Sequence, residues 1–140
     1  MKNEALLNGY DEAIALDQNG HVCEGTIANL FIVKNNKFIT PHTDSDILEG
    51  ITRNTIIEIA KNEGINVDER SVDRSELYIA DEIFFSGSSA NITPVLSVDK
   101  RKVGSGTIGP LTAQISKDYE EVRIGTKDQF SNWLTEVNQL

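Results

Sequence analysis

The sequence predicts a mixed α+β domain in which helices flank a largely antiparallel sheet. Short apolar segments separated by turn residues indicate paired strands, chiefly residues 13–17 with 21–23 and residues 29–33 with 37–40. Two longer segments, one ending before Gly64 and one before Gly125, carry apolar residues at helical spacing. At 140 residues the chain has the size of one domain and can bury a core without disulfide or metal staples. We therefore expect a single domain over residues 1–140.

The first strands form hairpins because their connections are rich in turn residues. Residues 18–20 read Gln-Asn-Gly, and Asn35-Asn36 can adopt the positive φ that a tight hairpin needs. Residues 24–28 interrupt the strands, and residues 41–45 form a loop that leads into the first long helix. Antiparallel pairing is the expectation for this part of the chain.

The first long helix carries an apolar stripe that we expect to pack on the sheet, and Gly64 ends it; the stripe is Ile56, Ile57, Ile59 and Ala60. Residues 65–72 suit a further strand, and the capping-box pattern from Asp73 to Glu76 predicts a brief helical turn. Residues 83–85 suit a buried strand, residues 92–98 another strand, and residues 99–102 a charged turn. Pro110 opens the second long helix, with an apolar face of Leu111, Ile115, Tyr119 and Val122, and Trp133, Leu134 and Val137 predict a last amphipathic segment.

Composition excludes several classes of function. Thirteen basic and twenty-two acidic side chains give a net charge of −9, which argues against nucleic-acid and anionic-membrane surfaces and leaves small molecules or proteins as partners. The single cysteine, Cys23, cannot form an internal disulfide, and His21 and His42 lack the spacing of a zinc site. The first residues contain no apolar run that could serve as a signal peptide or membrane span. We expect a cytoplasmic protein without a metal.

Three weak features could form a binding site. Gly50 and Thr52 lie where a loop becomes a helix, and the unpaired N–H groups of a helix start favour a phosphate or a carboxylate. Glu24 lies in a break between strands, and residues 86–89 form a small turn rich in hydroxyls. Each has an ordinary alternative: a capped helix without a ligand, a solvated carboxylate, and a simple connector. A serine hydrolase is disfavoured because residues 86–89 lack the G-x-S-x-G elbow and no histidine is placed as a base.

Several segments, in order and spacing, resemble the branched-chain amino acid aminotransferases, which are fold-type IV enzymes dependent on pyridoxal phosphate. The resemblance runs from about Glu4 to residues 133–134, and its segments are residues 8–14, 16–17, 24–25, 29–31, 48–53, 77–82, 85–87 and 93–95. The Gly-Ile-Thr-Arg element at residues 50–53 alone also occurs in D-amino acid transaminases and aminodeoxychorismate lyases. The combination is therefore what carries the resemblance.

The resemblance implies roles for specific residues. Glu24 would pair with the protonated pyridine nitrogen, which keeps the ring an electron sink, and Leu48 would pack against the ring. Ile51 and Thr52 would bind the cofactor phosphate, with Ser88 reaching it in place of the family's usual threonine. The backbone of Ser88, Ser89 and Ala90 would hold the substrate carboxylate. Glu49 stands where many members have proline, and we predict that it faces solvent, because a carboxylate beside a phosphate is unfavourable.

The same resemblance implies what this chain lacks. The lysine that forms the Schiff base with the cofactor would lie upstream of Met1, so no catalytic residue is assigned here, and the small N-terminal domain is absent as well. The chain would be the C-terminal part of the large domain, truncated on its N-terminal side and inactive alone. We expect a homo-oligomer, and an unpaired strand edge could promote self-association.

Three functions remain in competition. The parent protein would move an amino group between leucine, isoleucine or valine and 2-oxoglutarate. A D-amino acid transaminase or an aminodeoxychorismate lyase of the same fold is the second enzymatic possibility, and a non-enzymatic stand-alone domain is the third. Residues 78–82 and 93–95 favour the branched-chain group.

Overall fold

The computed structural model describes residues 1–44, 47–48 and 50–133. The helices in this part of the chain are α1 (Lys2–Leu7), α2 (Ile51–Asn62), α3 (Glu76–Ile79) and α4 (Pro110–Arg123), followed by a 3₁₀ helix over Asp128–Trp133. The strands are β1 (Ile14–Leu16), β2 (Val22–Gly25), β3 (Asn29–Lys34), β4 (Lys37–Thr40), β5 (Val67–Glu69), β6 (Glu82–Gly87), β7 (Asn91–Pro94), β8 (Ser97–Val98) and β9 (Arg101–Lys102). The predictions for Glu49, Leu134 and Val137 lie outside the described residues.

Strands β1 to β7 form one sheet that is organised around β3. Strand β3 pairs with β2, β4 and β6, while β1 pairs with β2, β5 with β4, and β7 with β6. All of these pairings are antiparallel except β4 with β5, which is parallel because α2 connects the two strands as a crossover. Strands β8 and β9 form a separate hairpin. The predicted mixed α+β class with a largely antiparallel sheet is therefore confirmed.

The hairpin turns follow the sequence pattern. Asn35 and Asn36, between β3 and β4, have φ values of 51° and 59°. The carboxylate of Asp81 accepts the backbone N–H of Asn35 at 3.0 Å, and this hydrogen bond lowers the pKa of Asp81 below its usual value. The β1–β2 turn is held by Asp17, whose carboxylate accepts the N–H groups of Asn19 and His21 at 2.8 and 2.9 Å. Both predicted turns are confirmed.

Several predicted boundaries were wrong. The strand expected over residues 65–72 covers only Val67–Glu69, because its partner β4 ends at Thr40. The strand expected over residues 92–98 is divided into β7 and β8, since β8 leaves the main sheet to pair with β9. The predicted helical turn begins only at Glu76, whose carboxylate nevertheless accepts the Asp73 N–H at 3.0 Å as a capping box requires. Helix α1 was not predicted.

Hydrophobic cores lie on both faces of β3. Phe31 and Val33 join one cluster with the stripe of α2, in which Ile56, Ile59 and Ala60 are fully buried, as predicted. Leu30 and Ile32 point to the opposite face and join the second cluster with Val22, Val72 and Ile83. On the helix side, the rings of Phe31 and Phe84 stack at 5.0 Å, and Phe38 packs edge-on against both.

Helix α4 is fixed to the sheet by a buried carboxylate. Glu82, the first residue of β6, is 8% exposed and accepts the backbone N–H groups of Leu111 and Thr112 at 3.1 and 2.7 Å. The Thr112 hydroxyl donates to the same carboxylate at 2.6 Å. A Cβ atom at Gly109 would overlap this carboxylate, which explains the glycine. The predicted apolar face of α4 is confirmed, since Ile115 and Val122 are buried in the first cluster and Leu111 and Tyr119 pack against it.

Two further observations concern the single cysteine and the helices. Cys23 in β2 is buried, with 4% of its surface exposed. Among the helices of the described residues, none combines the length and the apolar character needed to cross a bilayer.

Gly109→Ala is expected to destabilise the fold by about 2–3 kcal/mol, because the added methyl group displaces Glu82 from the start of α4. Urea unfolding followed by circular dichroism measures the change. Gly20→Ala is the matched control: its Cβ meets no atom within 4 Å, so only the positive φ of 83° opposes it, at about 1 kcal/mol. Equal losses in the two variants would contradict the capping role of Glu82.

Glu76→Gln is expected to reduce stability near neutral pH but not in acid. Arg70 donates two hydrogen bonds to Glu76, at 2.7 and 3.0 Å, which lowers the pKa of that carboxyl below its ordinary value of 4.5, and the Asp73 N–H adds to the effect. A lowered folded-state pKa gives stability that is complete above the unfolded-state pKa and is lost as pH falls through the folded-state value.

The measurement is the free energy of unfolding of both proteins from pH 7 to pH 3. The difference between wild type and Glu76→Gln should shrink progressively as pH falls below the ordinary carboxyl value of 4.5. Glu4→Gln is the control, because Glu4 is exposed and its carboxylate has no ion pair among the described residues. A difference that stays constant with pH would mean that the ionised pair does not stabilise the fold.

Candidate functional site

The three features singled out in the sequence meet at one pocket of about 200 Å³. It lies between the ends of β2, β3 and β6 and the start of α2, and it is lined by Glu24, Thr26, Ile27, Ala28, Asn29, Leu48, Gly50, Thr52, Ser86, Gly87 and Ser88. The carboxylate, the helix start and the hydroxyl-rich turn are separated along the chain but are brought together by the sheet.

A polar row across three strands forms one side of this pocket. Glu24 of β2 is paired with Asn29 of β3, and Asn29 is paired with Ser86 of β6. Residues that are directly opposite in antiparallel strands place their side chains on the same face. Asn29 shares its face with Phe31 and Val33, because side chains alternate along a strand. The polar row is therefore on the helix side of the sheet, at the edge of the aromatic core.

The two oxygens of the Glu24 carboxylate differ in their hydrogen bonds to the protein. Its Oε2 atom accepts the Asn29 side-chain amide and the Leu48 backbone N–H, both at 3.3 Å. Within residues 1–44, 47–48 and 50–133, no hydrogen bond reaches Oε1. One oxygen is thus held by the protein while the other can accept a hydrogen bond from a ligand.

The start of α2 offers donors to an anion. Gly50 is the N-cap in extended conformation, and no side chain caps the helix there. The first intrahelical bond runs from the N–H of Asn54 to the carbonyl of Gly50 at 3.1 Å, so the preceding N–H groups have no helical partner. Thr52 is 5% exposed and lines the pocket, and its hydroxyl donates to no acceptor in the described chain. This helix start can bind an anionic group with both backbone and hydroxyl donors.

Arg53 fixes the position of this helix start. Its guanidinium is 1% exposed and donates to the Pro41 carbonyl at 3.0 Å and to the Glu69 carboxylate at 2.9 Å. These contacts tie the first turn of α2 to the ends of β4 and β5.

Ser86 adds a buried polar group that lacks a partner. It is fully buried, it lines the pocket, and its Oγ makes no hydrogen bond to the residues that the structure describes. A buried hydroxyl left in this way costs free energy unless a ligand or a water molecule satisfies it. The pocket therefore has an unmet hydrogen-bonding group in its interior.

The structure brings some of the predicted site residues together in this pocket and places others outside its lining. Glu24, Leu48, Thr52 and Ser88 line the same pocket, with Leu48 79% exposed. Ile51 begins α2, and its side chain is 84% exposed outside the lining, although its backbone N–H belongs to the helix start. Ser89 and Ala90 follow in the turn after β6 but do not line the pocket, and Ala90 instead lines a neighbouring cavity of about 410 Å³. The binding roles of all these residues remain predictions.

Sequence reasoning missed Asn29 as a site residue, and it placed Ser86 in the hydroxyl-rich turn of residues 86–89, whereas the structure has Ser86 in β6. The available signal was a polar residue at one end of an otherwise fully apolar strand, as in Asn29 before Leu-Phe-Ile-Val and Ser86 after Ile-Phe-Phe. For Gly50, the sequence indicated only that a glycine lets a ligand come close to the backbone at the helix start. In the structure, a Cβ atom at this position would overlap the side-chain oxygen of Asn29.

Comparisons with known proteins show which chains this one resembles. The chain is 50% identical over 137 residues to a probable branched-chain-amino-acid aminotransferase of Aquifex aeolicus, covering 97% of this chain and 44% of that protein. The branched-chain amino acid aminotransferase of Thermobaculum terrenum in its PLP form matches with a TM-score of 0.93 and 46% identity, over 96% of this chain and 44% of that one. The branched-chain aminotransferase of Thermoproteus uzoniensis with norvaline matches with a TM-score of 0.90 and 44% identity, over 95% of this chain and 44% of that one.

The chain thus spans less than half the length of the relatives that it matches. The family match is nevertheless broad, since residues 1–98 match the class IV amino-transferases. This stretch includes β2, β3, α2 and β6, which are the elements that build the pocket. The sequence match and the shared fold lead to one conclusion: the chain belongs to the class IV aminotransferase family.

Proposed function

We propose that this chain supplies the ring-nitrogen and phosphate contacts of a pyridoxal phosphate site in a branched-chain amino acid aminotransferase. The whole protein would transfer an amino group between leucine, isoleucine or valine and 2-oxoglutarate. The observation that carries the proposal is that the free oxygen of Glu24 and the donors of the α2 start belong to one pocket. The names of the similar enzymes support the branched-chain class over the other activities of the fold.

The donors and acceptors of the pocket fit this cofactor. A phosphate group needs several N–H or O–H donors, which the start of α2, the Thr52 hydroxyl and Ser88 can provide. A protonated pyridine nitrogen needs an acceptor, which Glu24 Oε1 can provide. The hydroxyl of Ser86 is an orphaned polar atom inside the pocket, as expected of a site that closes around a polar ligand.

Glu24 and the phosphate donors would orient the bound ring between them. Pyridoxal phosphate, when bound, supplies an electron sink for the carbanion at the substrate α-carbon. The negative charge of Glu24 would hold a proton on the ring nitrogen, because a nearby opposite charge favours the protonated form of a base. Thr52 and Ser88 would fix the phosphate end, and the exposed Leu48 side chain would cover the ring.

The remaining roles concern the substrate and the missing amine. We infer that the backbone of Ser88, Ser89 and Ala90 holds the substrate carboxylate. None of the eight lysines, all within the described residues, lines the pocket, so the Schiff-base lysine would come from another part of the whole protein. Homo-oligomeric assembly and a cytoplasmic location remain predictions.

Thr52→Val is expected to weaken binding of pyridoxamine 5'-phosphate to the 140-residue chain about tenfold or more, since a hydrogen bond to a charged group contributes roughly 1.5–3 kcal/mol. The dissociation constant is measured by titration followed by ligand fluorescence. Thr55→Val, one turn along α2, is the matched control, because the one hydrogen bond of the Thr55 hydroxyl within the described part of the chain goes to the Ile51 carbonyl at 3.0 Å, away from the pocket lining. Equal effects of the two substitutions would mean that the phosphate does not bind at the start of α2.

The 140-residue chain alone is expected to form no glutamate from leucine and 2-oxoglutarate in the presence of pyridoxal phosphate, because its pocket contains no lysine. Glutamate is measured by chromatography against a blank without protein. Pyridoxamine 5'-phosphate binding by the same preparation is the control for a folded site. Turnover above the blank that is lost on replacing one of the chain's own lysines would contradict the assignment of the amine to another segment.

A further inference from the structure

Asn29 contacts three separate parts of the pocket. This side chain is 6% exposed, and its Nδ2 donates to Glu24 Oε2 at 3.3 Å and to the Leu48 carbonyl at 2.8 Å. Its Oδ1 lies against Gly50, where a Cβ atom would overlap it. A single amide therefore connects the carboxylate in β2, the segment before α2 and the N-cap of α2.

The contacts of Asn29 restrict how Glu24 can rotate. A glutamate side chain has several rotatable bonds and loses considerable conformational entropy when it is ordered. Two donors, Asn29 Nδ2 and the Leu48 N–H, converge on Oε2 and hold the carboxylate in one orientation. Because the same Asn29 amide binds the Leu48 carbonyl, it also holds the second of these donors in place. One oxygen is therefore occupied by the protein while the other remains available, and the carboxylate keeps one orientation in the pocket.

We propose that Asn29 is a positioning residue that acts through Glu24 to present its free oxygen to the pyridine nitrogen of the cofactor. The inference rests on the proposed function and adds to it a residue outside the cofactor's own contacts. The proposal assigns the two ends of the ligand to different parts of the protein. Asn29, through Glu24, affects binding of the ring nitrogen, whereas the start of α2 binds the phosphate. A merely structural asparagine would affect both parts equally.

A double-mutant cycle on the 140-residue chain tests this role. The affinity for pyridoxamine 5'-phosphate is measured for wild type, Asn29→Ala, Glu24→Gln and the double variant. Asn29→Ala is expected to lower the affinity about tenfold when Glu24 is present and less than twofold when it is Gln, because residues that act through one another are not additive. An equal loss in both backgrounds would overturn the inference.

A second ligand isolates the ring nitrogen. Benzyl phosphate has the phosphate and an aromatic ring but no pyridine nitrogen, so its affinity should change less than twofold on Asn29→Ala. A tenfold loss for this ligand as well would show that Asn29 only supports the pocket, which would overturn the inference. Thr40→Val is the matched control for a lost buried hydrogen bond: the Thr40 hydroxyl donates to the Leu30 carbonyl at 2.7 Å, away from the pocket lining.

A ligand-free measurement separates this inference from the proposed function. The NMR signal of the Leu48 amide proton reports its hydrogen bond to Glu24. Glu24→Gln should move this signal in the wild-type background but not in Asn29→Ala or in Asn29→Leu, which has a similar size and removes the donor without adding a charge. The same movement in all backgrounds would overturn the positioning role. If pyridoxamine 5'-phosphate fails to bind, or binds independently of Glu24, the proposed function fails while this measurement still decides the role of Asn29.

Discussion

The antiparallel register between β3 and β6 determines which side chains reach each face of the sheet. The pairs run from Asn29 opposite Ser86 to Val33 opposite Glu82, so the helix side receives polar residues at both ends and stacked phenylalanines between them. A slip by one residue would move every one of these side chains to the other face. The aromatic stack, the pocket and the cap of α4 therefore depend on a single alignment of two strands.

This alignment makes β6 a strand with two functions. At its first residue, Glu82 binds the N–H groups of α4, and four residues later Ser86 lies in the pocket beside the start of α2. The neighbouring Asp81 points elsewhere and binds the Asn35 N–H in the β3–β4 turn. Two adjacent carboxylates thus hold a helix and a hairpin. Since both are placed by the strand, the geometry of the pocket and the stability of the domain are linked through the same backbone.

The sequence predicted those features that depend on local pattern. The turn at Asn35-Asn36, the stripe of α2 and the opening of α4 at Pro110 follow from backbone preference and periodicity, and the structure agrees. The length of β5 could not be predicted because it depends on where β4 ends. In the site, Thr52 was found from its place at a helix start and Glu24 from resemblance, although the predicted strand break at Glu24 was wrong because Glu24 pairs with Asn29 inside β2. Asn29 was missed, and Ser86 was known only as part of a hydroxyl-rich turn, because their place beside Glu24 comes from cross-strand pairing, which no local pattern records.

The buried position of Cys23 gives the protein an internal reporter. It is the only cysteine in the chain and directly precedes Glu24 in β2, with 4% of its surface accessible. A thiol reagent can attack it only when this part of β2 separates from the sheet, so the modification rate measures how often the strand opens. Because Glu24 must move with the same strand, the kinetics of alkylation would report the lifetime of the intact pocket without any label or added residue.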